Sequence, residues 1–268
     1  MPHAVIVGVD ETPASMVAAD WAAGEALSRG RPLRLLHVWS PDADAVTPVS
    51  DSDSQRHAAE RLLHAVAGHV HRRHPDLPTE MSQLSGSPVE VLCDASADAE
   101  LLVLGTRGLG GVAGLVAGSV SQAVLARVRR PVVVVRAPAP TGAARAGEGD
   151  VVLGLDTARP HGDVPAFAFD CAERYGCGVR LVAEGAVRDE SELDDLLAPW
   201  SERHPGVPVT RHLARGRPAP ALAEASRGAR LLVVGLRRRR LPWGAHVGPT
   251  VHGVLRDAHA PVAVVPHD

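Results

Sequence analysis

The stretch "AELLVLGTRGLGGVAGLVAGSVSQAVL", residues 99–125, decides how this chain folds. It opens on "AELLVLG", 99–105, an apolar run interrupted only by Glu100 and without the alternation of a half-exposed strand. A run of that length is expected of a strand buried on both faces, as in a parallel sheet. It closes on "SVSQAVL", 119–125, whose apolar residues recur at helical spacing. Between them lie glycines at 105, 108, 110, 111, 114 and 118. Glycine weakens regular structure, so such a cluster between strand and helix implies that the backbone must come close to something.

Working outward, the same grammar appears on both sides. "HAVIVGV" (3–9) reads as a strand and "PASMVAADWAAGEALSRG" (13–30) as a helix stopping at Gly30. "PLRLLHVW" is a second strand, "SQRHAAERLLHAVAGHVHRRH" a helix ending before Pro75, and "TEMSQLS" an edge strand. "SPVEVLCDAS" is a short helix with Pro88 in its first turn, and "PVVVVR" (131–136) a last strand. Strands alternating with helices predict an α/β fold with a parallel sheet covered on both faces.

The chain then repeats this pattern. "AVIVGVD" (4–10) resembles "DVVLGLD" (150–156). "GSPVEVLCDASADAELLVLG" (86–105) parallels "GRPAPALAEASRGARLLVVG" (216–235), and "GSVSQAVLARVRRPVVVVR" (118–136) parallels "GPTVHGVLRDAHAPVAVVP" (248–266). The first copy carries extra residues early, and "SPDADAVTPVSDSD" (40–53) is the expected insert, a polar loop. "APAPTGAARAGEGD" has no apolar periodicity and reads as a linker. The expected organisation is a first domain at 1–137, a linker at 138–149 and a second domain at 150–268, a tandem duplication of an ordinary domain size.

Composition excludes several classes. Hydrophobic residues at 45% and charged residues at 22% suit a globular protein, and a net charge of −3 makes no electrostatic case for nucleic acid or an anionic membrane. Apolar runs are too short to span a bilayer. The N-terminus reads directly as a strand and lacks the basic and long apolar regions of a signal peptide, so a cytoplasmic protein is expected. Cys93, Cys171 and Cys177 match no zinc spacing and read as reduced thiols. All 28 basic residues are arginine. With no lysine, a Walker-type phosphate lysine and a Schiff base are both excluded. His57, His64 and His71 recur about every two helical turns, too far apart for one ion, so a solvated face is expected and no metal site.

In a doubly wound sheet, ligands bind beyond the carboxyl ends of the strands where strand order reverses. The glycine loop leaves such an end and delivers Gly118 and Ser119 to a helix start. Helix N-termini offer unpaired N–H groups, and glycines let the backbone approach, which suits phosphate. Ser119 and Ser121 add hydroxyl donors. Taken alone, the loop is equally consistent with a glycine-rich surface connection. Its spacing, Gly105-x2-Gly108-x9-Gly118-Ser119, resembles the signature of the universal stress protein family. "VGVDETPAS", "WAAGEALSRG", "LHVW", "GSPVEVLCDAS" and "RPVVVV" are similar to family blocks in their usual order, and the second copy is similar too. The chain is thereby identified as a tandem-domain, actinobacterial-type member.

The resemblance implies two doubly wound domains of strand order 3-2-1-4-5 and an ATP site in the first. Val9 and Asp10 would hold the adenosine end, and the Val38 backbone would pair with adenine. Leu104, Gly105, Arg107 and Gly108 would line the ribose and phosphates, with Gly118, Ser119, Val120 and Ser121 closing on the phosphates. Asp10 reads equally as a cap for the following helix. Magnesium would accompany ATP, although no protein ligand for it is identifiable. In the second copy Arg238 replaces Gly108 and Pro249 replaces Ser119, removing an N–H and a hydroxyl, so a degenerate nucleotide site is expected there. The run Arg237–Arg240 reads as a solvated basic loop, with attraction of another anion or a partner as the alternative. The expected function is a stress-response protein for which ATP is a conformational ligand. The alternatives are slow ATP hydrolysis and a nucleotide-free interaction module. The resemblance also implies that the two edge strands, 131–136 and 261–266, pair within the chain as a pseudo-two-fold unit, and a homodimer is a further partner to consider.

Overall fold

The computed structural model describes residues 3–39, 51–106, 119–136, 149–158, 160–184, 190–213, 217–238 and 247–268. The chain divides into two compact units, Met1–Ala139 and Pro140–Asp268. The first runs β1 (Val5–Gly8), α1 (Pro13–Ser28), β2 (Leu33–Trp39), α2 (Asp51–Arg73), β3 (Thr79–Ser85), α3 (Pro88–Ala97), β4 (Leu101–Thr106), α4 (Ser119–Leu125) and β5 (Val132–Arg136). Its strands are all parallel, in the order β3-β2-β1-β4-β5. The second runs β6 (Val151–Asp156), α5 (Asp163–Tyr175), β7 (Val179–Glu184), α6 (Glu190–Arg203), β8 (Val209–Leu213), α7 (Pro218–Ala225), β9 (Leu231–Arg237), α8 (Pro249–Asp257) and β10 (Val262–His267). It repeats the order as β8-β7-β6-β9-β10, also all parallel.

The apolar runs become strands for the expected reason. Val5, Ile6, Val7, Leu101, Leu102 and Val103 are sealed between helical layers. β3 and β8 are largely exposed and leave Met81, Leu84 and Leu213 open to solvent, as edge strands can. Helix α1 meets β4, β1 and β5 through a face of small residues, Ala14, Ala18, Ala19, Ala22, Ala23 and Ala26, all buried. It ends on Gly30 at φ 59°, and α5 ends on Gly176 at φ 64°, the left-handed conformation that stops a helix. Helix α2 starts at Asp51, so the last residues assigned to the polar insert are helical. Asp51, Ser52 and Asp53 are residues that suit a helix start. Residues 40–50 and 137–148 lie outside the described residues.

Behind α1 the chain hides charge. Arg29 Nε donates to Glu25 Oε1 at 2.5 Å, and Arg29 Nη1 to Glu100 Oε1 at 3.3 Å. The Arg29 and Glu25 side chains are only 4% and 2% exposed, so this pair is desolvated. The positions that match it in the second unit hold Cys171, Tyr175 and Arg230, with the Arg230 guanidinium 4.4 Å above the Tyr175 ring. Among the described residues the cysteines form no disulfide; burial raises the pKa of Cys93 and Cys177, which favours the protonated thiol. No helix among the described residues is long and apolar enough to cross a membrane.

Candidate functional site

Strand order reverses between β1 and β4 in the first unit, and most described residues of the expected site gather there. Val9 is buried; its N–H donates to Leu36 O at 2.8 Å, and His37 Nδ1–H donates to Val9 O at 2.8 Å. This fixes the carbonyl at the end of β1 and sets Val38 in the next position of β2. Asp10 follows, exposed at the mouth. Its N–H donates to Ser15 Oγ at 2.9 Å, and its Oδ1 accepts from the Thr12 N–H at 3.0 Å and hydroxyl at 2.5 Å. The N-cap of α1 is Thr12, so Asp10 is not the helix cap. It ties the β1–α1 turn with one oxygen, which leaves Oδ2 for other use.

Leu104 pairs in register with Gly8, and Gly105 with Val135, at the end of β4. A Cβ on Gly105 would lie 2.8 Å from the carbonyl carbon and oxygen of Ala14 and 3.0 Å from Ser15 N. Glycine is therefore required because the α1 backbone crosses directly over β4. Ser119, Val120 and Ser121 open α4, with Ser121 buried and Ser119 exposed. Arg107, Gly108 and Gly118 lie outside the described residues. His57, His64 and His71 sit exposed along α2.

The second unit uses the same turn differently. Asp156 sits where Asp10 does, and its Oδ1 accepts from the Ala158 N–H at 3.0 Å. The spacing from Asp10 to Gly30 equals that from Asp156 to Gly176, yet α5 begins at Asp163, about one turn later than α1. His161 therefore takes the place of Ser15 in an irregular segment. The α1-like backbone no longer covers the glycine: a Cβ on Gly235 would meet His267 Nε2 at 2.9 Å and Cδ2 at 3.0 Å. The His161 and His267 rings face each other with centroids 4.1 Å apart, tilted by 31°. Beside them opens a cavity of about 200 Å³. Leu155, Val164, Leu222 and Val234 form its apolar wall, and Asp156, Arg237 and Thr250 add polar groups. Residue types alone did not signal His161, His267 or Thr250, because 106 residues separate the two histidines in the chain and no motif links them.

Comparison with known proteins follows the same division. The model of the universal stress protein family matches residues 1–136 and 151–266. The chain belongs to the universal stress protein family. A universal stress protein of Mycobacterium tuberculosis is 34% identical, over 97% of this chain and 95% of that protein. A universal stress protein structure from Archaeoglobus fulgidus covers all of both chains at 19% identity with a TM-score of 0.78, a likeness of fold. Another from the same organism, solved in complex with dAMP, matches half of this chain at 23% identity and a TM-score of 0.38.

In this universal stress protein the half-buried His267 of the second unit carries a shifted pKa. Burial lowers the pKa of His267 below its ordinary 6.5; the hydrogen bond to the Asp268 carbonyl and nearby Asp163 oppose the shift, and His161 and Arg237 reinforce it. The unfolded chain therefore binds a proton more readily than the folded unit does. The stability of the second unit is expected to hold above the ordinary histidine value and to fall as pH drops through it. Urea midpoints followed by hydrogen exchange of second-unit peptides should decline between pH 7.5 and 5.5, and decline less in His267→Gln. Equal slopes in the two proteins would remove His267 as the cause.

Proposed function

We propose that the first unit binds ATP and that the nucleotide acts as a conformational ligand rather than a rapidly consumed substrate. One observation carries the reading. Val9, Asp10, Leu104 and Gly105 share the ends of adjacent strands at the strand-order reversal, with Gly105 closed to any side chain. Membership of the family and the glycine spacing through Gly118-Ser119 support it. In this reading Asp10 Oδ2 and the Val9 and Val38 backbone hold the adenosine end. Leu104, Gly105, Arg107 and Gly108 line the ribose and phosphates, and Gly118 to Ser121 close on the phosphates. Magnesium, when present, travels with the phosphates. The chain offers no lysine for transition-state charge, and one Asp10 oxygen is committed to its turn, which favours binding over turnover.

Heating purified protein and measuring the released small molecules by mass tests this. About one adenine nucleotide per chain is expected, and none from the Gly118→Ala/Ser119→Ala variant. Protein that releases none and takes up no added ATP would leave a nucleotide-free interaction module. Phosphate release with ATP and magnesium at many turnovers per minute would replace the regulatory ligand with a substrate.

A further inference from the structure

We propose that the cavity of the second unit binds a small anion with a short apolar body, a phosphate monoester or a carboxylate, and does not bind a nucleotide. The inference is independent of the first unit's site. The apolar wall of Leu155, Val164, Leu222 and Val234 takes the body. The charged end is set by Arg237, which holds the sequence position of Arg107, and by the hydroxyl of Thr250 in the first turn of the nine-residue helix α8. Among the described residues neither the Arg237 guanidinium nor the Thr250 hydroxyl has a hydrogen-bond partner. A guanidinium and a hydroxyl without protein partners at the rim of an apolar cavity suit a single anionic group.

Three features argue against a nucleotide. At about 200 Å³ the cavity is smaller than typical ligand pockets, roughly 300–1,000 Å³. Pro249 presents no N–H where the first copy has Ser119, and Arg238 stands where the first copy has Gly108. The stacked His161 and His267 occupy the room over Gly235. Asp156 also lines the cavity and opposes the several negative charges of a polyphosphate.

The histidine pair couples this binding to protons. His267 faces His161 from the segment before α5, Asp163 on α5, Arg237 on β9 and the Asp268 carbonyl at the chain end. Burial is the main cause that keeps the imidazole neutral, with His161 and Arg237 reinforcing it, and an anion arriving beside Arg237 offsets the Arg237 part. Binding then draws in a proton, and affinity rises as pH falls from 8 to 6.

The test is a histidine-resolved NMR titration of the full chain carrying Gly118→Ala/Ser119→Ala, so that the first unit contributes no nucleotide effect. The probes are butyl phosphate, butyrate and neutral butanol. Saturable shifts of His161 and His267 with an anion, but not with butanol, are expected, tighter at pH 6 than at pH 8 for butyrate, whose charge is constant over that range. Arg237→Gln should weaken the response about tenfold, while its other histidine signals report an intact fold. A response to butyl phosphate alone assigns the phosphate monoester, and one to butyrate alone assigns the carboxylate. No shift with either anion, or an equal response to butanol, overturns the proposal. Saturable ATP binding that moves the same two signals overturns it as well.

Discussion

Glu25→Ala is expected to lower the stability of the first unit by about 3 kcal/mol, the lower part of the range for breaking a buried ion pair. The cost arises because Arg29, 4% exposed, loses the carboxylate that contacts its Nε at 2.5 Å. Glu100, 3.3 Å from Nη1, retains part of the compensation and keeps the loss from the top of the range. The second unit supplies a control, since it places Cys171, Tyr175 and Arg230 at the same three positions. Replacing a buried charged set by a packed, less charged one is often nearly neutral. The triple change Glu25→Cys, Arg29→Tyr and Glu100→Arg should therefore cost less than Glu25→Ala alone. Hydrogen exchange of first-unit peptides reads the local free energy directly. A triple variant as damaged as the single one would show that the network contributes more than charge compensation. The exposed pair Arg34–Glu80 at 3.2 Å should contribute at most about 1 kcal/mol by the same measurement.

Gly105→Ala is expected to cost about 1–3 kcal/mol and to weaken nucleotide binding at least tenfold. The new methyl meets backbone atoms of Ala14 and Ser15, which cannot rotate away. The strain falls on the turn where Ser15 Oγ accepts from the Asp10 N–H, so relieving it moves the carboxylate at the site's mouth. At the matching glycine the obstacle is different. A methyl at Gly235 meets side-chain atoms only, the edge of His267 and Val164 Cγ2 at 3.1 Å, rather than backbone. Gly235→Ala should cost less than about 1 kcal/mol. The comparison is made by urea denaturation with nucleotide binding measured in parallel. Equal losses at the two positions would contradict the difference in what covers each glycine.

Much of this protein is written locally. A strand buried on both faces must be continuously apolar, so "AVIVGVD", "AELLVLG" and "PVVVVR" announce a parallel sheet, and their recurrence announces two copies. Helix stops at Gly30 and Gly176 follow from one residue type each, because a left-handed turn excludes most side chains. The position of Asp10 at a strand end was equally legible, whereas its part in the turn was not; that needed Thr12 to fold back onto Oδ1 and to take the capping position itself. What the sequence by itself determined, then, was the order of elements and the repeat, since these depend on periods of two and 3.6 residues and on backbone freedom, whereas the strand order rested on the resemblance to the family. Tertiary structure alone decided the rest. Arg29 and Glu25 became a buried pair with the partly exposed Glu100 at its edge, α5 began one turn later than α1, and His161 met His267 beside a cavity. Such contacts join residues far apart in the chain, and they are fixed by where the backbones cross rather than by any pattern within a segment.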